Sequence, residues 1–308
     1  MQYDVSVIVL TYNPNYKKLY GTILSILQQK DVNYEIIVAD DGSECLKINE
    51  IEQWFKEHAF LNYQFVVSKD NNGTVVNLNS ALNVVRGRYV KLISPGDYLY
   101  RDDVLAKLVD FLDNEKSKIC FGKVAGYFLE DDGTVKIYEC KTPKKLQPYI
   151  DYDFKKIQKN YLVKKDYIIG ASFFADTQLM KKYIPEIVGK VRYAEDCAVI
   201  MMIANGEKIQ FWSDFIVWYE GGVGISNVNS DVWRKRLYED NKRCFELIKD
   251  KHPEFGWIYD ASFNKRKLIY YVYKIINKLV CIFNNDNIEI DLYEMNINKE
   301  KLFKYLNL

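Results

Sequence analysis

Ile36-Ile37-Val38-Ala39-Asp40-Asp41-Gly42-Ser43 is an apolar, strand-forming run that breaks off into two carboxylates and a turn. A helix-length segment upstream lies a second such run, Val5-Ser6-Val7-Ile8-Val9, ending in Leu10-Thr11-Tyr12-Asn13. Between them Leu19, Ile23, Ile26 and Leu27 recur at helical spacing. Two β-branched runs joined by a helix read as a β-α-β unit with parallel strands. Ligands of such sheets bind outside the carboxyl ends of the strands. Asp40-Asp41 and Thr11-Tyr12-Asn13 are therefore expected to face one crevice of nucleotide size.

Downstream, the pattern repeats. A helix-like stretch over 47–58 precedes the strand Tyr63–Val67, and the polar turn Lys69–Gly73 opens a helix-like Val75–Val85. Tyr89-Val90-Lys91-Leu92-Ile93 reads as another buried strand, ending in Ser94-Pro95-Gly96-Asp97. Residues 1–100 thus form a nucleotide-binding half. From 101 the pattern changes. We expect a helix at 103–112, strands near 119–128 and 134–139, and a loop with a helix over 141–166. A strand over 168–175, helices over 177–183 and 195–204, and a strand at 217–219 complete an acceptor-binding half, 101–226. Residues 229–283 read as helical, and the chain from 284 on is polar and weakly patterned.

Composition narrows the function. Lys+Arg 43 against Asp+Glu 42 gives no nucleic-acid footprint in 308 residues. The cysteines at 45, 120, 140, 197, 244 and 281 form no C-x-x-C pair. With only two histidines (His58 and His252) a structural zinc site is not expected, and single cysteines suit a reducing cytosol. No basic and apolar leader precedes Val5, and no apolar run reaches the roughly 18 residues of a membrane span. The expected location is cytoplasmic, with the inner face of the plasma membrane left open. No G-x-G-x-x-G follows the first strand, which argues against a dinucleotide oxidoreductase. A sugar nucleotidyltransferase would carry a Gly-rich basic signature where Thr11-Tyr12-Asn13-Pro14-Asn15 stands.

Val5–Asn13, Asp40–Ser43, Asn72–Asn79, Ser94–Asp97, Glu195-Asp196 and Gly221–Ser226 together resemble, in order and spacing, the bacterial family 2 glycosyltransferases. The resemblance covers about residues 3–226 and implies a GT-A-type, Rossmann-like mixed sheet flanked by helices, with 227–308 as a C-terminal helical extension. It implies inverting transfer of a sugar from a nucleotide-diphosphate donor, UDP-linked in the first instance, to a glycan or lipid-linked glycan in surface polysaccharide synthesis. Position by position, Tyr12 resembles the aromatic packed on uracil, Asp41 the acceptor of a base N–H, and Asp97 the ligand of a bridging Mn²⁺ or Mg²⁺. Asp196 resembles the catalytic base, with Glu195 orienting it or meeting the acceptor. Thr11, Asn13, Asp40, Asn79, Gly96, Gly170 and Ser172 complete the expected nucleotide-sugar site. The chain departs from the family's Asp-x-Asp-Asp, having Ser94-Pro95-Gly96-Asp97 instead. A degenerate protein that binds nucleotide-sugar without turnover is therefore the alternative.

Three further expectations come from local chemistry. Asp196 precedes the apolar Cys197–Met202 run, so a helix start is expected to hold its carboxylate and lower its pKa. Gly221–Ser226 reads as a lid or a plain exit loop. Residues 264–283 are amphipathic, with Lys265, Arg266, Lys267, Lys274 and Lys278 and no acidic residue. That helix either lies on an anionic membrane or packs its apolar side on the catalytic domain or a second subunit. Oligomeric state stays open.

Overall fold

The computed structural model describes residues 2–130, 132–223, 230–283 and 292–307. The first half follows the alternation of its sequence: β1 (Tyr3–Thr11), α1 (Tyr16–Leu27), β2 (Tyr34–Asp40), α2 (Ile48–Glu57), β3 (Tyr63–Val67), α3 (Thr74–Val84) and β4 (Gly87–Ile93). β5 (Tyr98–Leu99), α4 (Val104–Glu115), β6 (Ile119–Leu129), β7 (Val135–Glu139), α5 (Gln147–Ile150) and α6 (Phe154–Leu162) follow. Then come β8 (Phe173–Asp176), α7 (Thr177–Ile187), α8 (Cys197–Ala204) and β9 (Gln210–Glu220). The C-terminal part holds α9 (Asp231–Lys251), α10 (Gly256–Phe263), α11 (Leu268–Phe283), α12 (Leu292–Ile297) and α13 (Lys299–Leu306).

Among the described residues the strands form one mixed sheet in the order β3-β2-β1-β4-β8-β6-β9-β5, with β7 added to β6. β3, β2, β1 and β4 are parallel, and their register sets Thr11 beside Asp40 and Val9 beside Ile93. Three strand ends therefore open onto the same edge. β8 runs antiparallel to β4 and to β6, while β6 and β9 are parallel. The sheet turns from parallel to antiparallel at β4/β8, whereas the strand order reverses between β1 and β4, the switch point outside which a crevice is expected.

Helices cover both faces, which explains why the strands read as unbroken apolar runs rather than alternating ones. Val5, Val7, Val9, Ile36 and Val38 face a core that includes Leu19 and Ile23 of α1 and Phe55 of α2. Ile8, Leu10, Ile37 and Ala39 face the other core, with Leu78 of α3, Tyr183 of α7 and Met202 of α8.

Several elements differ from the sequence expectation. The strand expected over 168–175 begins as a single 3-10 turn, Gly170–Ser172, and extends only from Phe173. α7 runs on to Ile187 through Pro185, and α8 starts at Cys197 rather than Glu195. The strand expected at 217–219 spans Gln210–Glu220. Within the lid segment only Gly221–Val223 is described, so Gly224–Ser226 lies outside.

The tail from 284 is patterned after all, since α12 and α13 bury Met295, Leu302, Tyr305 and Leu306 in the α1-side core. α13 sits directly on α1. A Cβ on Gly21 would come within 2.6 Å of the Tyr305 carbonyl oxygen and 2.9 Å of the Tyr98 ring. The contact is completed by Tyr305 Oη donating to Gln28 Oε1 (3.0 Å) and by the Lys301–Asp102 ion pair (2.7 Å).

Of the alternatives for α11, packing of its apolar side on the catalytic domain is not seen at the residues whose burial is described. Leu268, Val272, Ile275 and Ile276 are exposed, whereas Tyr270 is buried and the Tyr273 hydroxyl donates to the Val163 carbonyl. Among the described residues no helix is long and apolar enough to cross a membrane.

Candidate active site

The strand ends and the loops around the β4/β8 reversal enclose a cavity of about 870 Å³. Its lining includes Thr11, Tyr12, Asn13, Asp41, Asp97, Gly170, Glu195 and Asp196, all expected from the sequence. On the β1/β2 side, Tyr12 is 49% exposed, so its ring face is open to a planar partner. Asp41 is buried, and its oxygens accept from the N–H groups of Asn72 (2.9 Å) and Gly73 (2.8 Å). Desolvation raises its pKa, against the lowering effect of those N–H groups and of Arg192. Two further polar atoms line this side without a protein partner: Thr11 Oγ1 and Asn77 Oδ1, both buried.

At the β4 end the chain turns sharply. Gly96 takes φ +103, a region closed to most side chains, and its N–H donates to Thr22 Oγ1. The turn brings Asp97, 8% exposed, into the cavity wall, where the Glu220 N–H approaches its Oδ1 at 3.4 Å. Burial pushes the Asp97 carboxyl up to about 7, and the Glu220 N–H and the charge on Lys91 pull it back. Glu220 itself lines the cavity and is clamped by Lys18 Nζ at 2.6 and 2.7 Å. Below them Lys91 is fully buried, and its ammonium donates to the carbonyls of Leu92 (3.0 Å), Ala171 and Phe173. Burial lowers its pKa to about 7.

Asp97 with Glu220 beside it offers hard oxygen ligands of the kind a divalent cation takes. Magnesium sites commonly use only one or two carboxylates plus substrate phosphates. Asp97 supplies one such carboxylate, whereas both Glu220 oxygens are held by Lys18, and no group of three potential ligands occurs among the described residues.

Opposite stands the Glu195-Asp196 pair, at the end of the loop between α7 and α8. Here the structure corrects the sequence expectation. Asp196 takes the cap position of α8, but its side chain makes no capping hydrogen bond. Its carboxylate lines the cleft while the residue keeps an exposed face, and partial desolvation by the cavity walls raises its pKa instead of lowering it. Glu195 is raised as well, first by desolvation and then by the charge of Asp196. Gly170 makes this possible, because a Cβ there would lie 2.5 Å from Asp196 Oδ1.

Four expected residues stand outside the cavity lining. Asp40 is fully buried and gives both oxygens to Ser43, to its N–H (2.7 Å) and its hydroxyl (2.5 Å). Gly96 shapes the turn, and Ser172 is buried with its hydroxyl on the Ile169 carbonyl. Asn79 is on α3, but the cavity face of that helix carries Thr74 and Asn77, three residues apart. Two positions on a helix turn a side chain through roughly 200°, which separates Asn79 from Asn77. Sequence reasoning also missed Lys18, Glu220, Tyr193 and Trp233, all of which line the cavity. Glu220 could have been flagged by its place at a strand end; Lys18 and Trp233 carried no local signal.

The sequence model of glycosyl transferase family 2 matches residues 6–182. An uncharacterized glycosyltransferase of Methanocaldococcus jannaschii is 26% identical over 237 residues, 76% of either chain. A UDP-Glc:α-D-GlcNAc-diphosphoundecaprenol β-1,3-glucosyltransferase of Escherichia coli is 28% identical over 130 residues, 42% of this chain and 47% of that one. The fold is shared with S. aureus TarS 1-349 in complex with UDP-GlcNAc. That structure gives a TM-score of 0.57 at 18% identity and covers 89% of this chain and 79% of its own.

Proposed function

The chain belongs to glycosyl transferase family 2, and from that premise we propose that it moves a sugar, with inversion, from a UDP-sugar to a glycan or lipid-linked glycan acceptor. The observation that carries this reading is the convergence of Tyr12, Asp41, Asp97 and the Glu195-Asp196 pair on one cavity of about 870 Å³. The ring of Tyr12 stacks on uracil, and Asp41, held by two backbone N–H groups, keeps lone pairs for a base N–H. The diphosphate then extends toward Asp97. A divalent cation, Mn²⁺ or Mg²⁺, would be held by Asp97 together with the diphosphate itself, and would supply positive charge to the departing group.

Asp196 is the general base. Its carboxylate takes the proton of the acceptor hydroxyl, whose oxygen attacks the anomeric carbon from the side opposite the diphosphate. The bond from that carbon to the phosphate oxygen breaks as the new glycosidic bond forms, and the configuration inverts. A base works best with a pKa near the operating pH, and the raised value of Asp196 moves it that way. Glu195, protonated near neutral pH, donates a hydrogen bond that orients the acceptor.

The E. coli relative's name, which specifies a diphosphoundecaprenol-linked acceptor, supports a lipid-linked substrate here. So does α11, whose exposed Leu268, Val272, Ile275 and Ile276 accompany exposed Lys265, Arg266 and Lys274. Apolar residues flanked by cations suit peripheral contact with an anionic bilayer on the cytoplasmic side. Co-sedimentation with phosphatidylglycerol vesicles should be lost in Ile275→Asp/Ile276→Asp; unaltered binding would remove the membrane contact.

Binding without turnover is favoured only by the Ser94-Pro95-Gly96 departure. A titration with UDP in Mn²⁺ and then in EDTA, joined to a turnover assay on a panel of UDP-sugars, tests both readings. UDP binding with turnover that Asp196→Asn abolishes supports catalysis. Tight binding with no turnover on any donor and acceptor would favour the non-enzymatic protein.

A further inference from the structure

Asp240 of α9 is 3% exposed and plays no part in the chemistry above. Its carboxylate accepts from three consecutive backbone N–H groups, those of Arg192 (3.1 Å), Tyr193 (2.7 Å) and Ala194 (3.1 Å). The next residues along the chain are Glu195 and Asp196. The segment between α7 and α8 belongs to no helix or strand, so no regular ladder occupies its N–H groups. An ionised acceptor gives hydrogen bonds about twice as strong as neutral ones, and three of them offset the cost of burying the charge.

The same segment carries the acceptor-side wall. Tyr193 and Trp233 both line the cavity and meet edge to face at 4.9 Å, with the Arg236 guanidinium 4.7 Å from the Trp233 ring centre. Arg192 ties the segment to the nucleotide side, since its carbonyl accepts from the Val75 N–H and its guanidinium donates to the Asn71 carbonyl.

We propose that Asp240 is a positioning residue that holds residues 192–194 so that the Glu195-Asp196 pair and the Tyr193–Trp233 wall face the acceptor together. The kinetic part rests on the transferase reading; the structural part does not. The side chain reaches Asp196 only through the backbone it holds, which separates it from the catalytic residues. Its charge also acts across space, for it is among the groups that raise Glu195. Tyr161 of α6 and Cys197 of α8 are further ionisable groups near the pair.

The test compares Asp240→Asn with Asp240→Glu in the full chain, by hydrogen exchange and by kinetics. Asp240→Asn turns one acceptor into a donor, and exchange at the amides of 192–194 should accelerate about tenfold or more while the β1 and β2 amides stay protected. Turnover of a UDP-sugar should fall on the order of 10- to 100-fold with the Kd for UDP within about twofold. The alkaline limb of the rate profile, where Glu195 loses its proton, should move to lower pH in Asp240→Asn, and stay in place in Asp240→Glu, which keeps the charge. Unchanged exchange at 192–194, or a loss of UDP binding as large as the loss of rate, would overturn the proposal. If the wild type turns over no nucleotide-sugar, the transferase reading fails while the exchange result still decides the role of Asp240.

Discussion

Replacing the candidate base with its neutral isostere, Asp196→Asn, should make the protein more stable at pH 8 while making it inactive. In the native state the cleft partly desolvates the Asp196 carboxyl and pushes its pKa up from the usual 3.8, to about 6. Between those values the native state holds a proton that the unfolded chain has released. Stability therefore falls as pH rises through that window and stays lower above it. A pKa difference of that size between the folded and unfolded chain would amount to about 3 kcal/mol for an enclosed group. Asp196 keeps an open face toward solvent, so we discount this to about 1 kcal/mol. Asparagine carries no such penalty. Thermal melts should show the variant about 2 °C above wild type at pH 8 and level with it below pH 4. Turnover should fall by at least roughly 100-fold, as expected for loss of a general base. A variant that is less stable at pH 8, or a difference that does not change between pH 4 and pH 8, would refute the burial argument.

Three other outcomes follow from contacts already described. Gly21→Ala would stabilise an isolated helix by about 1 kcal/mol, yet here the methyl meets the Tyr305 carbonyl at 2.6 Å. Urea denaturation should show net destabilisation of about 1–2 kcal/mol, and a stabilised variant would show that α13 does not sit on α1. Gly170→Ala puts a methyl 2.5 Å from Asp196 Oδ1. Turnover should drop about 10- to 100-fold with UDP affinity unchanged, and an unaffected rate would argue against that placement of the carboxylate. Asp97→Ala should lose at least about tenfold of the UDP affinity that Mn²⁺ confers, leaving binding in EDTA unaltered. Equal losses in both conditions would discard the metal role.

The β-α-β half and its polar strand ends were legible because they rest on local chemistry. Apolar residues that are covered on both faces need no partner in sequence to be recognised, and Asp40-Asp41-Gly42 ends a strand wherever it stands. The strand ends then met in space because parallel register aligned Thr11 with Asp40. Finer assignments failed where side-chain direction mattered. Asp40 and Asp41 are adjacent, but one closes the turn through Ser43 and the other faces the cavity. The sign of the Asp196 shift was misread because helix-start reasoning is local, whereas burial depends on the walls that surround the carboxylate.

The sequence by itself determined the alternation of strands and helices, the crevice at the strand ends, and the carboxylates set along it. Each of these depends on periodicity or on residues within a turn of one another. Only the tertiary structure decided that Lys18 clamps Glu220 across 202 positions, that Asp240 accepts from the backbone just before Glu195-Asp196, and that α13 closes over α1. Such contacts arise from the direction in which distant elements approach, and no pattern along the chain encodes that direction.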